Sequence, residues 1–442
     1  MSRNRIPILT TLAILAGIAT AYVFGLAEIQ APQYPRFGYE RLVKLRVVAA
    51  FIFIWFLYVN GSIGSFLNVV AWRLPRGLGI GGRSQCPQCE KALPGKDNVP
   101  VLGWISLRGR CRFCSQPISP RYPLIEAIVA ITLSLIAITQ VYDVALPGEP
   151  IQFRWGPPWP PRLTWDVLTI LVYHTVVYTY LWAFVLIRID GITIPRKMIT
   201  YALAVAVVPM LVYPPVTIVP WQLPRPEAWL PDGKHFDALM RVITALVTAA
   251  LVGRALAKGL CPGADLKMDP LGSGTTKLVD LIALISLPTL LLGWQSIASV
   301  ILLASILAFL LRPLLSAIPS NAPQATTTPV RRLAFEQFVF ALPFATAIHL
   351  VSWRLLWNQP FWPSDQSEPY VIIAAAMLVL MIPVFLRDPP ATSKTHPTEP
   401  IVENTTNSED EEETAADDSA APSSDELPDQ ERKAETDDGD HR

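Results

Sequence analysis

The chain has 442 residues, of which 51% are hydrophobic and only 16% are charged, and its mean hydropathy is +0.36. These values exclude an ordinary soluble domain and predict a polytopic membrane protein. The formal net charge of zero conceals an asymmetry, because residues 391–442 hold 17 acidic and 4 basic residues while the remainder holds 19 acidic and 32 basic residues. We therefore predict a basic membrane body followed by an acidic, disordered tail.

Ten apolar runs are candidates for membrane-spanning helices, since about 20 apolar residues cross the hydrocarbon core of a bilayer. They cover residues 7–27, 47–72, 123–141, 166–188, 197–214, 238–257, 277–293, 295–311, 333–354 and 370–386. The predicted fold class is an all-α, polytopic transmembrane helical bundle. The first run follows Arg3 and Arg5 as a signal peptide would, but no clear small-residue cleavage site comes after it, which favours a retained helix.

The loop between the second and third runs sets the predicted orientation. Residues 73–122 contain nine basic and two acidic residues, so the positive-inside rule places them in the cytoplasm. Counting helices from this loop also places residues 188–197, residues 258–267 and the acidic tail in the cytoplasm. Residues 29–46 disagree, because they carry four basic residues and would lie outside. Either the first run does not span, or its orientation is an exception.

Two cysteine pairs lie in this basic loop. Cys86 and Cys89 form one CxxC motif, Cys111 and Cys114 form a second, and 21 residues separate them. This spacing is near that of zinc sites built from two such motifs. A cytoplasmic, reducing location favours metal-bound thiolates over disulfides. We predict a small cytoplasmic zinc-binding domain in which the zinc is structural, because four thiolates leave no open coordination position.

Two acidic residues at helix ends are the candidates for chemistry. Asp190 ends the fourth apolar run and Asp265 follows the sixth, both at the predicted cytoplasmic surface. Two carboxylates brought together share one proton, so that one activates water and the other donates a proton. The small residues Gly263 and Ala264 would let a substrate backbone approach, and Lys267 would bias the charge of the pair. The alternative is two helix-end acids balanced by nearby basic residues.

Several segments together resemble the type IV prepilin leader peptidase family. They are Gly64-Ser-Phe-Leu-Asn68, Arg73-Leu-Pro75, Asp97-Asn-Val-Pro-Val-Leu-Gly-Trp104, Leu107-Arg-Gly-Arg-Cys111 and Ile118-Ser-Pro-Arg-Tyr-Pro-Leu-Ile-Glu126. The resemblance covers about residues 60–355 and implies about eight family helices with one extra helix at each end. It also implies an aspartic endopeptidase that cuts the basic leader of type IV prepilins or pseudopilins at the cytoplasmic face. Many members then methylate the new amino terminus with S-adenosylmethionine.

The resemblance implies a catalytic role for both acids. Asp190 precedes Pro195 by five residues, as the family's first catalytic aspartate precedes a proline. Asp265 occupies the family's second aspartate position, and Lys267 follows it as the family's lysine does. Ala264 replaces the glycine that normally precedes this aspartate, which puts full activity in doubt. An inactive membrane scaffold or assembly factor of the same fold is therefore the second hypothesis.

The predicted domain boundaries follow from the apolar runs and from this family resemblance. They are an N-terminal helix and linker (1–46), a first family helix with the zinc-binding domain (47–126), a membrane aspartic peptidase domain (127–355), an extra helix (356–390) and the acidic tail (391–442). No glycine-rich nucleotide motif marks an S-adenosylmethionine site, so methyltransferase activity stays open. The predicted partners are a prepilin or pseudopilin and the lipid bilayer of a bacterial cytoplasmic membrane, with no nucleic acid.

Overall fold

The computed structural model describes residues 6–86, 88–145, 161–217, 233–316, 318, 333–356, 359 and 367–386. Helices dominate these residues, whose only extended pairings are three isolated β-bridges. The predicted all-α class is confirmed. The acidic tail predicted for residues 391–442 lies outside the described residues.

Thirteen α-helices are present in the described part of the chain. They are α1 (Ile6–Thr20), α2 (Leu26–Gln30), α3 (Tyr39–Arg73), α4 (Leu102–Leu107), α5 (Arg121–Val141), α6 (Trp165–Ile189), α7 (Arg196–Val212), α8 (Lys234–Leu260), α9 (Ser273–Leu292), α10 (Ile297–Leu310), α11 (Arg312–Ser316), α12 (Ala334–Leu356) and α13 (Pro369–Phe385). A π-helical turn, Ala21–Gly25, joins α1 to α2.

Six of these helices, α3, α5, α6, α8, α9 and α12, are long and apolar enough to cross a membrane among the residues described. The chain is therefore a multi-pass membrane protein, as predicted. Two further apolar helices, α10 and α13, are shorter. The predicted span at 197–214 corresponds to α7, which contains Pro209 and ends at Val212, shortly before Pro214.

Close packing of α3 against α5 depends on one glycine of the Gly64-Ser-Phe-Leu-Asn68 segment. A Cβ atom on Gly64 would lie 2.9 Å from the Cα of Glu126 and 3.2 Å from the Cβ of Val129. Small residues at helix–helix contacts in membranes let two backbones approach this closely. The glycine therefore sets the distance between α3 and α5, where the segment carrying the cysteines leaves and re-enters the bundle.

The central helix of the bundle is α6, whose last turns are enclosed on all sides. Residues 181–189 are each at most 2% exposed. Trp182 packs edge-on against Phe344 of α12, with ring centroids 5.5 Å apart, and its indole nitrogen donates to Thr132 of α5. These contacts give α6 a fixed position, so the residue that follows its last turn, Asp190, is also held in place.

Candidate active site and metal centre

The two CxxC motifs fold into matching turns. In each motif the N–H of the first cysteine donates to the carbonyl five residues later, at Lys91 or Gln116, over 3.1 and 2.8 Å. The residue after the second cysteine, Glu90 or Ser115, has a left-handed backbone with φ of 55° or 59°. Because both motifs have the same hydrogen bond and the same left-handed residue, they form the same turn. The two turns bring both pairs of sulfur atoms close together.

The four sulfur atoms lie close enough together to hold a metal ion. The Sγ atoms of Cys86, Cys89, Cys111 and Cys114 all lie within 4.8 Å of one another, and Cys86 Sγ is 3.8 Å from Cys114 Sγ. A tetrahedron with Zn–S bonds of about 2.3 Å has edges of about 3.8 Å. The cysteines are free thiols. The N–H of Phe113 donates to Cys111 Sγ over 3.4 Å, and a donor of this kind stabilises a metal-binding thiolate.

An ion pair connects the second cysteine motif to the preceding segment. Arg112 donates from Nε and Nη2 to the two carboxylate oxygens of Asp97, over 2.7 and 2.6 Å. These hydrogen bonds hold the pKa of Asp97 below its usual range. A Cβ atom on Gly103 would lie 2.2 Å from the carbonyl oxygen of Asp97, so only glycine fits there. These two contacts explain why aspartate and glycine are needed at positions 97 and 103 of the segment 97–104.

Asp190 is buried and ion-paired. It caps the C-terminus of α6, and its side chain is 1% exposed. Arg121, the first residue of α5, is equally buried and donates from Nη1 and Nη2 to the two oxygens of Asp190 over 2.7 and 2.9 Å. Bidentate geometry of this kind requires a carboxylate. Arg121 belongs to a segment noted in the sequence, but no role was predicted for it.

The turn after Asp190 is held by a second buried acid, Asp280 of α9. Its Oδ2 accepts hydrogen bonds from Nη1 of Arg188 and from the N–H of Ile194, both over 3.2 Å. Arg188 also donates to the carbonyl of Ile192 over 2.9 Å. Sequence reasoning missed Asp280, although a lone acid within an apolar helix is a recognisable signal of a functional or structural role.

Asp265 has a different environment from Asp190, because it lies exposed in the loop between α8 and α9. Its Oδ1 accepts hydrogen bonds from the backbone N–H groups of Met268 and Lys267 over 3.0 and 2.8 Å. These bonds hold the pKa of Asp265 below its usual range. Lys267 thus contributes a backbone donor, while the role predicted for its ammonium group stays a prediction.

The first turn of α9 clamps the Asp265 loop. The Thr275 hydroxyl accepts from the N–H of Asp265 over 3.0 Å and lies 2.7 Å from the carbonyl oxygen of Asp269, to which it can donate. A Cβ atom on Gly274 would lie 2.7 Å from the nitrogen of Ala264. Gly263 has a φ of +78°, which favours glycine. The residues predicted around Asp265 therefore pack directly on α9.

The segments that follow or carry the two candidate acids both contact one helix, α9. Thr275 contacts the Asp265 loop, and Asp280 contacts the turn that follows Asp190. Five positions separate these two residues along α9, a rise of about 7.5 Å. The structure thus brings the Asp190 turn and the Asp265 loop to the same end of α9, while each carboxylate has its own hydrogen-bond donors.

A threonine-to-valine exchange tests this clamp. Thr275→Val is expected to destabilise the protein by about 1–3 kcal/mol, because the N–H of Asp265 loses its acceptor, and to speed proteolysis of residues 263–271. Thr276→Val is the matched control, since the Thr276 hydroxyl only bonds back to Ser273 within α9. Thermal unfolding and limited proteolysis measure both effects, and equal behaviour of the two variants would contradict the clamp.

The segment that carries the cysteines matches a known family. Residues 59–140 match the family model of the bacterial peptidase A24 N-terminal domain. The matched segment begins in α3, includes all four clustered cysteines and ends in α5. It therefore contains Arg121 but neither Asp190 nor Asp265.

Several relatives of the chain are described as prepilin leader peptidase/N-methyltransferases. The prepilin leader peptidase/N-methyltransferase of Klebsiella pneumoniae is 42% identical over 110 residues, which cover 23% of this chain and 48% of that protein. Its counterpart in Myxococcus xanthus is 48% identical over 82 residues, covering 18% and 24% of the two chains. That of Pectobacterium carotovorum is 32% identical over 162 residues, covering 31% and 57%. No solved structure matches.

These matches confirm the resemblance to the prepilin leader peptidase family. The chain spans between 24% and 57% of the length of these curated relatives. The catalytic roles of Asp190 and Asp265 stay predictions. The cysteine cluster is confirmed as a set of ligands that could hold a metal ion.

Proposed function

We propose that this protein is a membrane-embedded aspartic endopeptidase that removes the basic leader of type IV prepilins or pseudopilins. Asp190 and Asp265 are the catalytic pair in this proposal. The observation that carries it is that the loop of Asp265 and the turn that follows Asp190 both contact the N-terminal half of α9, through Thr275 and Asp280. The relatives named prepilin leader peptidase/N-methyltransferase support the substrate class.

The unequal environments of the acids suggest unequal roles. Asp190, paired with buried Arg121, is suited to remain a carboxylate and activate water as general base. Asp265 is exposed, so its carboxylate can face the substrate. When its loop closes on the Asp190 turn, repulsion between like charges raises its pKa and lets it take up a proton. It then donates that proton to the leaving amine.

The four cysteines hold a structural zinc ion in this proposal. Their thiolates fill all the positions of a tetrahedral site, so the metal fixes the loop between α3 and α5 and leaves peptide hydrolysis to the aspartates. The basic loop then faces the cytoplasm of a bacterial cell, and cleavage takes place at the cytoplasmic face of its inner membrane. The extra apolar helices and the acidic tail have no assigned chemistry.

Two further functions depend on specific observations. N-methylation of the new amino terminus with S-adenosylmethionine is suggested by the names of the relatives. A non-catalytic scaffold is favoured by the replacement of the glycine before Asp265 with Ala264. The scaffold would retain the α9 contacts without cleaving anything.

One incubation distinguishes these functions. Purified full-length protein in detergent is mixed with a prepilin that has a short basic leader and an apolar helix, together with isotopically labelled S-adenosylmethionine. Mass spectrometry is expected to find a shortened substrate with a new amino terminus. Label on that terminus indicates methylation. An intact substrate at every enzyme concentration would reject the peptidase and favour the scaffold.

A further inference from the structure

Two buried ion pairs lie close together at the C-terminal end of α6. Arg121 of α5 pairs with Asp190, and Arg188 of α6 pairs with Asp280 of α9. Each of the four side chains is at most 2% exposed, and Arg188 and Asp190 are two residues apart in the chain. Charges buried this deeply are stable only when an opposite charge compensates them. The charge state of each acid therefore depends on the arginine that faces it.

The hydrogen bonds assign one arginine to each acid. Arg188 donates to Asp280 over 3.2 Å and to the carbonyl of Ile192 over 2.9 Å, so its guanidinium is engaged with α9 and with the turn that follows α6. Both oxygens of Asp190 instead accept from Arg121, over 2.7 and 2.9 Å. Arg121 is therefore the cation that compensates the charge of Asp190 in this arrangement.

Other charged or titratable groups around these pairs have separate surroundings. They are the phenol of Tyr122, Arg196, Lys277 and Glu336. A tyrosine side chain is neutral at pH 7, and Arg196 is exposed, so that water and salt screen its charge. Lys277 Nζ lies 5.6 Å from the centre of the Phe335 ring, and Glu336 accepts from the N–H of Leu333 over 3.0 Å. Arg121, by contrast, contacts the Asp190 carboxylate directly.

The segment that carries the cysteines holds Arg121 in position. Ile118 donates its N–H to the carbonyl of Gly109 over 2.6 Å, and its own carbonyl accepts from the indole N–H of Trp104 over 3.0 Å. The hydroxyl of Ser119 then accepts from the N–H of Arg121 over 3.3 Å. These contacts fix the point at which α5 begins, and with it the guanidinium that reaches Asp190.

We propose that Arg121 is a positioning residue for leader cleavage, which keeps Asp190 ionised and fixes the direction of its carboxylate. The inference rests on the proposed function, in which Asp190 is the general base. Without a cation beside it, a buried carboxylate takes up a proton and can no longer accept one from water. A carboxylate has about four lone-pair sites, so the two hydrogen bonds from Arg121 leave sites for that proton. The cysteine-bearing segment thus contributes a residue to the peptidase reaction.

The dependence of cleavage on pH tests this role. The full-length protein in detergent is incubated with a prepilin that has a basic leader and an apolar helix, and kcat/KM is measured across pH. In Arg121→Gln the acidic limb of the profile is expected to move up by about 1–3 pH units, because a nearby opposite charge shifts a carboxyl group by that amount. Cleavage at neutral pH then falls by about 10- to 1,000-fold and recovers at higher pH.

A conservative variant and a matched control accompany this measurement. Arg121→Lys keeps the positive charge but loses the two-point contact, so its acidic limb is expected to lie between those of the wild type and Arg121→Gln. Arg83→Gln removes an exposed arginine of the same basic segment and is expected to leave the profile unchanged. A role in folding alone would lower the rate by the same factor at every pH.

A double variant shows whether Arg121 acts through Asp190. Arg121→Gln combined with Asp190→Asn is expected to cleave no more slowly than Asp190→Asn, because the carboxylate on which Arg121 acts is already absent. The double variant also leaves neither charge buried alone, so it is expected to unfold at a higher temperature than Asp190→Asn does. A further loss of cleavage in the double variant would contradict action through Asp190.

Infrared spectroscopy reads the protonation of Asp190 without any cleavage. At neutral pH, Arg121→Gln is expected to show a C=O band of a protonated carboxyl group that both the wild type and the double variant lack. If the wild type cleaves prepilin but Arg121→Gln keeps its pH profile, or loses the same factor at every pH, the inference is overturned and the peptidase stands. If the wild type cleaves nothing, the peptidase is rejected. The band in Arg121→Gln then supports control of the Asp190 charge by Arg121, and its absence overturns that control.

Discussion

Asp265→Asn is expected to lower the rate of leader cleavage by about 10²–10⁴-fold, the usual contribution of a positioned acid or base. Asparagine can still accept the backbone hydrogen bonds of Met268 and Lys267, but it cannot exchange a proton. Because Asp265 is exposed, the substitution is expected to leave the free energy of unfolding close to that of the wild type. Loss of cleavage in this variant therefore reports chemistry rather than misfolding.

Asp190→Asn is expected to lower the rate of cleavage to a similar degree. It is also expected to lower the free energy of unfolding. The substitution leaves the Arg121 guanidinium buried without its carboxylate, and breaking a buried ion pair in this way costs about 3–5 kcal/mol. Cleavage must therefore be measured at a temperature where this variant is still folded. The two aspartates thus differ in a measurable way, since one variant loses activity alone and the other loses activity and stability.

Asp166→Asn serves as the matched control for both variants. Asp166 is an exposed acid in the first turn of α6, at the opposite end of that helix from Asp190, and its contact with the Tyr213 hydroxyl can be kept by asparagine. Its cleavage rate and unfolding temperature are expected to match the wild type. Wild-type cleavage by either Asp190→Asn or Asp265→Asn would remove that residue from the catalytic pair.

Removal of the metal is the second large expected effect. Chelation, or Cys86→Ser with Cys111→Ser, is expected to unfold residues 84–118, because structural zinc sites contribute about 10–16 kcal/mol in zinc-finger peptides. The segment has little other support, since Cys86, Asp97, Gly103, Gly109 and Cys111 are its buried residues among those described. A domain with so small a hydrophobic core depends on a bound metal ion for the stability of its fold.

Metal analysis and limited proteolysis measure this effect. The wild type is expected to carry one zinc per chain and to resist cleavage within residues 84–118, and the serine variants are expected to do neither. Cys261→Ser is the matched control, because Cys261 is buried in the bundle and lies outside the cluster. Resistance to proteolysis after complete removal of the metal would show that the loop folds without it.

The sequence predicted those parts of the site that depend on local spacing. Two CxxC motifs bring four sulfur atoms together through two identical turns, so the spacing of Cys86, Cys89, Cys111 and Cys114 was enough to predict the ligands. The all-α class followed in the same way from the length of the apolar runs. These features are local, because each turn or helix is formed mainly by neighbouring residues.

The contacts around the two aspartates could not be predicted in this way. Arg121 and Asp190 lie 69 residues apart and Arg188 and Asp280 lie 92 apart, so each ion pair exists only after several helices have packed. The sequence by itself determined the helices, the metal ligands and the candidate acids. Only the tertiary structure decided their partners, because burial and ion pairing arise when distant segments exclude water from a common interior.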